Sequence, residues 1–236
     1  SGLAGVAAAY EALYSEKTVC LTELTDWVGG QLSSQGTAAL DETVAQRSRS
    51  LFPRGYLDFR NALLSHIPQP KPGNCWVSEI CFLPKMGHTL LMEMLDKAVK
   101  QGKGTLHCFP NTVVKSLQIV SQGSGTRIQG VRAIQHQSAP GAPPLNTLPL
   151  SQTLEDSYQE QDSPRLRKTI IELTPPLQGQ WMVIEATETG ELLALADLPY
   201  QVGIDPISYQ NPSSSSKKAD PYCTQAFTYT FAMEAT

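Results

Sequence analysis

The 236-residue sequence has no excess of basic residues, no long apolar run and no internal repeat. Its net charge is -4 and its pI is near 5.6. That balance argues against a nucleic-acid-binding surface, which needs a basic excess to replace phosphate counterions. No apolar stretch reaches the roughly 18 residues that a membrane-spanning helix needs. The N-terminal apolar stretch lacks a basic start, and Glu11 and Glu16 interrupt it, so it does not read as a signal peptide, although a chain that begins abruptly can have lost one. There is no G-x-S-x-G, P-loop or C-x-x-C pattern. The five cysteines are odd in number and irregularly spaced, which is not the mark of a disulfide framework. Reduced thiols in a cytoplasmic setting are the default expectation.

What is present is a globular chain long enough for a substantial core. Residues 3–15 place Leu3, Val6, Ala7, Tyr10, Leu13 and Tyr14 at helical spacing. "TVCLTEL" is β-branched and apolar, and reads as a buried parallel strand. Residues 25–60 are rich in Gly, Ser, Thr and Gln and read mostly as loop, with a short helix expected around Asp58 to Ser65. "PQPKPGN" is a rigid turn. "MGHTLLMEMLDKAVKQGKG" sets Leu90, Leu91, Met94, Leu95 and Ala98 on one helical face and ends in glycines that suit a C-cap. "TLHCF" reads as a strand. "NTVVKSLQIV" and "RIQGVRAIQHQ" read as paired strands about the turn "SQGSGT". Residues 138–165 are Pro-, Ser- and Gln-rich and read as an exposed insertion. "KTIIELTP" and "QWMVIEAT" read as two more strands, "GELLALADL" as a short helix, and "NPSSSSKKAD" as a flexible loop. "TQAFTYTFAMEAT" at the end reads as an interrupted strand. Strands separated by helices imply a parallel sheet, and the consecutive strands add a small antiparallel one.

A dinucleotide-binding unit runs strand, G-x-G-x-x-G, helix, strand, acid. Gly2 and Gly5 fit its second and third glycines. The first strand and first glycine would lie upstream of Ser1, so the chain is expected to be a fragment. Gly2 has no Cβ, so a pyrophosphate can approach the backbone, and Gly5 lets the helix pack closely on the sheet. The helix N-terminus offers free N–H groups and partial positive charge. Glu23 closes the strand "TVCLTE", where a carboxylate can accept ribose hydroxyls. The same spacing also fits a helix that merely starts on glycines, with a solvent-facing Glu23.

"TELTDWVGGQLSSQGTAALDE" adds a paired glycine, Gly29 and Gly30, soon after the acid. This resembles the two-dinucleotide-binding-domain flavoproteins. With Trp27 and Gln31, the run resembles a mostly uncharacterised group of FAD-dependent oxidoreductases that share a GG-Q-x-S element. "FPNTVVKSL" resembles the strand that lies against the adenine in such proteins, which points to Val113 and above all Val114. "VIEATETGELLALA" resembles the family's late "(I/V)-(D/E)-A-T-G-D-G-(D/E)-L" segment, with Ala186, Thr187, Gly190 and Glu191 matching. Glu188 stands where the family usually has glycine.

The resemblance implies an α/β, Rossmann-like three-layer fold that binds FAD or NAD(P), with a parallel sheet, a small antiparallel sheet and the first strand missing. It implies an FAD-binding domain over 1–200, with a disordered or loop-like insertion near 138–165, and the truncated start of a substrate or cap region over 201–236. The activity it implies is hydride transfer between a small organic substrate and bound flavin. Expected cofactor contacts are Gly2, Gly5, Glu23, Gly29, Gly30, Gln31, Val114 and Thr187; no catalytic acid or base stands out. An NAD-dependent dehydrogenase and a non-catalytic nucleotide-binding descendant are the alternatives. Cys75, Cys81, His88, His107 and Cys108 are not at zinc-finger spacing, so buried reduced cysteines are expected rather than a metal site. His66 and His88 are possible acid–base groups, and Arg54 and Arg60 a possible carboxylate clamp, although ordinary surface or core roles explain all four.

Overall fold

The computed structural model describes residues 1–49, 51–69 and 71–224. Helix α1 (Leu3–Tyr14) leads into strand β1 (Thr18–Thr22). A 3-10 turn (Gly30–Leu32), α2 (Val44–Arg49) and α3 (Arg54–His66) follow. After a turn at Pro72–Asn74 come α4 (Pro84–Gly102) and β2 (Thr105–Phe109). β1 and β2 pair in parallel, from Thr18 against Thr105 to Thr22 against Phe109. β3 (Thr112–Gln122), β4 (Gly125–Ser138) and β5 (Leu166–Leu173) form an antiparallel sheet with β4 in the middle. α5 (Leu150–Ser157) lies between β4 and β5, and α6 (Glu191–Leu195) follows them. This is an α/β fold with a small parallel and a small antiparallel sheet. Among the described residues no helix is long and apolar enough to cross a membrane.

The core lies where α1 and α4 cover one face of the parallel pair. Val6, Tyr10 and Leu13 of α1 meet Leu90, Leu91 and Leu95 of α4, with Leu21 of β1 beneath them and Phe59 and Leu63 of α3 beside them. The apolar periodicity of α4 is borne out: Leu90, Leu91, Met94, Leu95 and Ala98 are all buried. At its end the reading is corrected. Lys103, not a glycine, takes the left-handed conformation (φ 60°). Gly102 and Gly104 serve close approach instead, since a Cβ on either would stand 2.3 Å or 2.7 Å from the Leu13 carbonyl oxygen. The hairpin turn fits the sequence better: Gly123 takes positive φ (59°) at the first loop position between paired Gln122 and Gly125.

Four further expectations are corrected. β1 is not buried on both faces; Leu21 is buried and Val19 half-buried, but Thr18 and Cys20 are exposed, because the covering helices lie on one face. The loop-rich stretch after residue 25 holds α2, and α3 starts at Arg54, four residues before the expected helix. Gly55, which reads as a loop residue, lies in the first turn of α3 against the Tyr10 ring. "QWMVIEAT" forms no strand. It has no β-neighbour among the described residues, and Met182 and Ile184 are 82% and 55% exposed. Residues 138–165 are not simply an exposed loop: they contain α5, bury Ala139 and Ser157, and tie back through Asn146 to Asp26 and Asn111 at 2.8 Å each. The Ser-rich loop is irregular, closed by bridges Ile204–Asp220 and Pro206–Ser216. The expected final strand lies outside the described residues, apart from its first residue.

Candidate functional site

The start of α1, the Gly29–Gly30 turn and the segment before α6 meet at one point. Gly2 is the N-cap of α1, with no side-chain cap and no acid in the first turn. The amides of that turn therefore keep their positive end free of any side-chain partner from the helix itself. Gly30 adopts positive φ (54°), and a Cβ built on it would stand 3.0 Å from Gly2 Cα. Gly29 (φ 109°) donates its N–H to the Ser1 carbonyl at 3.3 Å, which fastens this turn to the beginning of the helix. Ser33 holds the turn from within, donating to the Val28 carbonyl at 2.6 Å. A Cβ on Gly5 would stand 2.8 Å from Ser1 Cβ and 3.4 Å from Ala186 Cβ, so its bareness lets α1 pack against the 186 segment.

Glu23 is not solvent-facing; it is 4% exposed. Its backbone joins both sheets, accepting from Thr112 N–H at 2.7 Å and donating to the Phe109 carbonyl at 3.0 Å. Oε1 accepts from the Thr25 amide at 3.0 Å and Thr25 Oγ1 at 3.1 Å. Oε2 accepts from Ser1 N at 2.7 Å and Ser1 Oγ at 3.2 Å. A carboxylate has about four acceptor positions, so a further donor has to share or replace one of these. Thr25 and Ser1 were not anticipated as partners, because a side-chain clamp on a strand-end acid leaves no periodic trace in sequence.

The other expected residues are spread around this point. Val113 is buried and Val114 half-buried at the start of β3, one or two residues beyond the Thr112–Glu23 bond. Gln31 is exposed on the 3-10 turn. Thr187 is exposed; its Oγ1 accepts from Gly190 N–H at 2.9 Å and shapes the start of α6. Glu188 reaches the cradle itself: its Oε1 is 2.3 Å from a Cβ position on Gly2 and 2.7 Å from one on Gly30.

The acid–base and clamp candidates lie elsewhere or are committed. Arg54 pairs with Glu11 at 2.7 Å, and Arg60 with the buried Glu42 at 2.8 Å. His66, at the end of α3, contacts the Ala62 carbonyl at 2.8 Å. His88 stacks on Trp27 with ring centres 5.9 Å apart. Its Nδ1 is buried without a hydrogen-bond partner among the described residues, and burial pushes its pKa below the ordinary value against the opposing charges of Asp26 and Glu23. The expectation of five reduced thiols is corrected: Cys75 and Cys81 form a disulfide, their Cα atoms 6.4 Å apart. The loop from 75 to 81 folds back so that Cys81 bridges to Ala39, which brings the pair within bonding reach. Of the remaining thiols, Cys20 and Cys223 are exposed and Cys108 is half-buried.

Residues 1–141 match the model of the FAD dependent oxidoreductase family. The chain belongs to that family. The match takes in the α1 cradle, Glu23, the glycine pair and the β3–β4 hairpin; Thr187 and Glu188 lie beyond it. No curated protein and no solved structure matches the chain. Membership implies FAD as cofactor and a flavin-dependent oxidoreductase in general terms. The helix start has no side-chain cap and no acid in its first turn, and the bare Gly2 and Gly30 meet there, a setting that suits the negative charge of a diphosphate.

Proposed function

We propose that the chain binds FAD with its diphosphate over Gly2 and Gly30 and its adenosine toward Glu23 and Val114, and that the whole serves hydride transfer between a small organic substrate and the flavin. The observation that carries the reading is the nearness of the Gly2–Gly30 cradle to the buried Glu23, whose carboxylate accepts from the hydroxyl of neighbouring Ser1 at 3.2 Å. In this reading a ribose hydroxyl replaces the longest of the four contacts to Glu23, that from Ser1 Oγ. Gly5 and Gly29 act by shaping the cradle, and Gln31 and Thr187 border it. The isoalloxazine, when bound, accepts or gives the hydride, and the protein's part is to hold and orient it. The cofactor-binding unit is assigned to residues 1–200, with the substrate region beginning at 201.

Titration of cofactor-free chain with FAD, followed by quenching of flavin fluorescence, tests the binding. Saturable uptake that Gly2→Val abolishes while the fold persists supports the cradle. Equal uptake by the variant refutes it. Reduction of bound flavin by candidate substrates then separates hydride transfer from a non-catalytic nucleotide-binding role.

A further inference from the structure

We propose that the Glu188 carboxylate is an internal occupant of the glycine cradle, an anion that the cofactor's diphosphate must displace; the proposal rests on the FAD site above. A methyl group built on Gly2 would collide with Glu188 Oε1 at 2.3 Å, and one on Gly30 at 2.7 Å. The carboxylate thus fills the volume that the two missing side chains leave. No acid of α1 competes for that place, since the first turn holds none and Gly2 provides no cap.

The turn that carries Glu188 is held at both ends. Glu185 accepts the N–H groups of Thr187 and Leu192, and Thr187 Oγ1 accepts that of Gly190. Gly190 takes positive φ (65°) where α6 begins. The backbone is thereby fixed so that the residue between these anchors faces α1. Only the carboxylate is seated; the residue as a whole is exposed, and its side chain can swing into water. Without cofactor the carboxylate stands against the two glycines at the start of α1, where a helix N-terminus favours an anion. An incoming diphosphate carries the same sign and needs the same volume, so it binds only as Glu188 leaves. Glu188 therefore lowers cofactor affinity by acting on the phosphates alone.

Cofactor-free wild type, Glu188→Gln and Glu188→Gly are titrated with FAD and with riboflavin, which has no phosphate. Both variants are expected to bind FAD about tenfold more tightly than wild type, as removal of one unfavourable charge contact predicts. Riboflavin affinity stays level, and the gain shrinks as salt is raised. Glu188→Gln preserves the size of the side chain, so it guards against a change caused only by a looser turn in Glu188→Gly. Equal or weaker FAD binding in both variants overturns the proposal. If no variant takes up FAD, the cofactor reading fails, and inorganic pyrophosphate decides the role of Glu188. Millimolar pyrophosphate that raises the melting temperature of the variants but not of wild type upholds it. No difference among the three overturns it.

Discussion

Gly29→Ala is the substitution whose cost can be worked most directly from the structure. Gly29 has φ 109°, and a Cβ there would stand 2.4 Å from Leu91 Cδ1 and 3.2 Å from Ser33 Oγ. Two terms follow. Holding an L-residue in a sparsely populated positive-φ conformation costs about 1–3 kcal/mol. Leu91 is 1% exposed within the hydrophobic core, so it cannot simply turn aside; overpacking of that kind costs about 1–3 kcal/mol. The sum is about 2–6 kcal/mol. For a chain of this size it lowers the melting temperature by roughly 4–24 °C. Gly179 supplies the control: its φ is 106°, yet a Cβ there meets nothing nearer than Pro176 Cγ at 4.0 Å. Gly179→Ala therefore carries the backbone term without the collision, and its melting temperature should fall less. Circular dichroism melts of the three proteins without cofactor read the difference. A Gly29→Ala melt within 2 °C of wild type (below the roughly 4 °C lower bound), or equal to that of Gly179→Ala, refutes the argument that Leu91 enforces the glycine.

Other outcomes follow from the same structure. Glu23→Ala removes the acceptor of the Thr25 amide and the Ser1 hydroxyl, whereas Ser1 N keeps the Thr22 carbonyl and Thr25 Oγ1 that of Trp27; it should destabilise the cofactor-free chain by about 1–3 kcal/mol in urea titration and weaken FAD binding about tenfold or more. Burial pulls the His136 pKa below its ordinary value, against the carbonyls of Ser157 and Asn111 and with Lys168 adding to the fall and Asp156 opposing it. The unfolded chain therefore binds more protons below about pH 6.5, so the melting temperature should rise from pH 5 to 6.5 and level above it. His136→Gln should flatten that rise in a pH series of melts. Thiol titration of the unfolded chain should give three free thiols before reduction, those of Cys20, Cys108 and Cys223, and five after. Opening the short 75–81 loop should cost about 2 kcal/mol on the loop-entropy account, read as a shift in the urea midpoint.

Elements whose residues pack by period were legible in the sequence. α1, α4 and the β3–β4 hairpin each carry their own pattern: a 3.6-residue apolar face, or two β-rich runs about the Gly-containing "SQGSGT", of which the strands take all but Gly123 and Ser124. Elements that depend on a neighbour were not. "QWMVIEAT" has the composition of a strand, but a strand exists only by pairing, and among the described residues no strand pairs with it; it is held instead by side-chain bonds, Trp181 to the Ile128 carbonyl at 3.0 Å and Glu185 and Thr187 around the start of α6. α5 was hidden for the opposite reason. Its sequence is polar and proline-flanked, yet His136, buried in β4, meets the carbonyl that ends it, Ser157 O, at 2.9 Å. That tertiary contact fixes a helix which composition alone reads as loop.

The same division runs through the site. Glycine spacing located the cradle because each glycine answers a local need: φ at Gly29 and Gly30, and close approach at Gly2 and Gly5. The carboxylates are a different matter. Glu23 and Glu188 were both visible in the sequence, one as a strand-end acid and one as a departure from the family's glycine, but their states were not. Glu23 is clamped by Thr25, two residues away, and by Ser1, twenty-two residues away. Glu188 reaches across the fold to Gly2 and Gly30. An acid's chemistry is set by which donors and charges surround it, and those arrive from segments far apart in the chain. Here one carboxylate is fully hydrogen-bonded behind the helix start, and the other leans on its bare glycines. Two carboxylates thus flank the start of α1, and only the second fills the space that Gly2 and Gly30 leave bare.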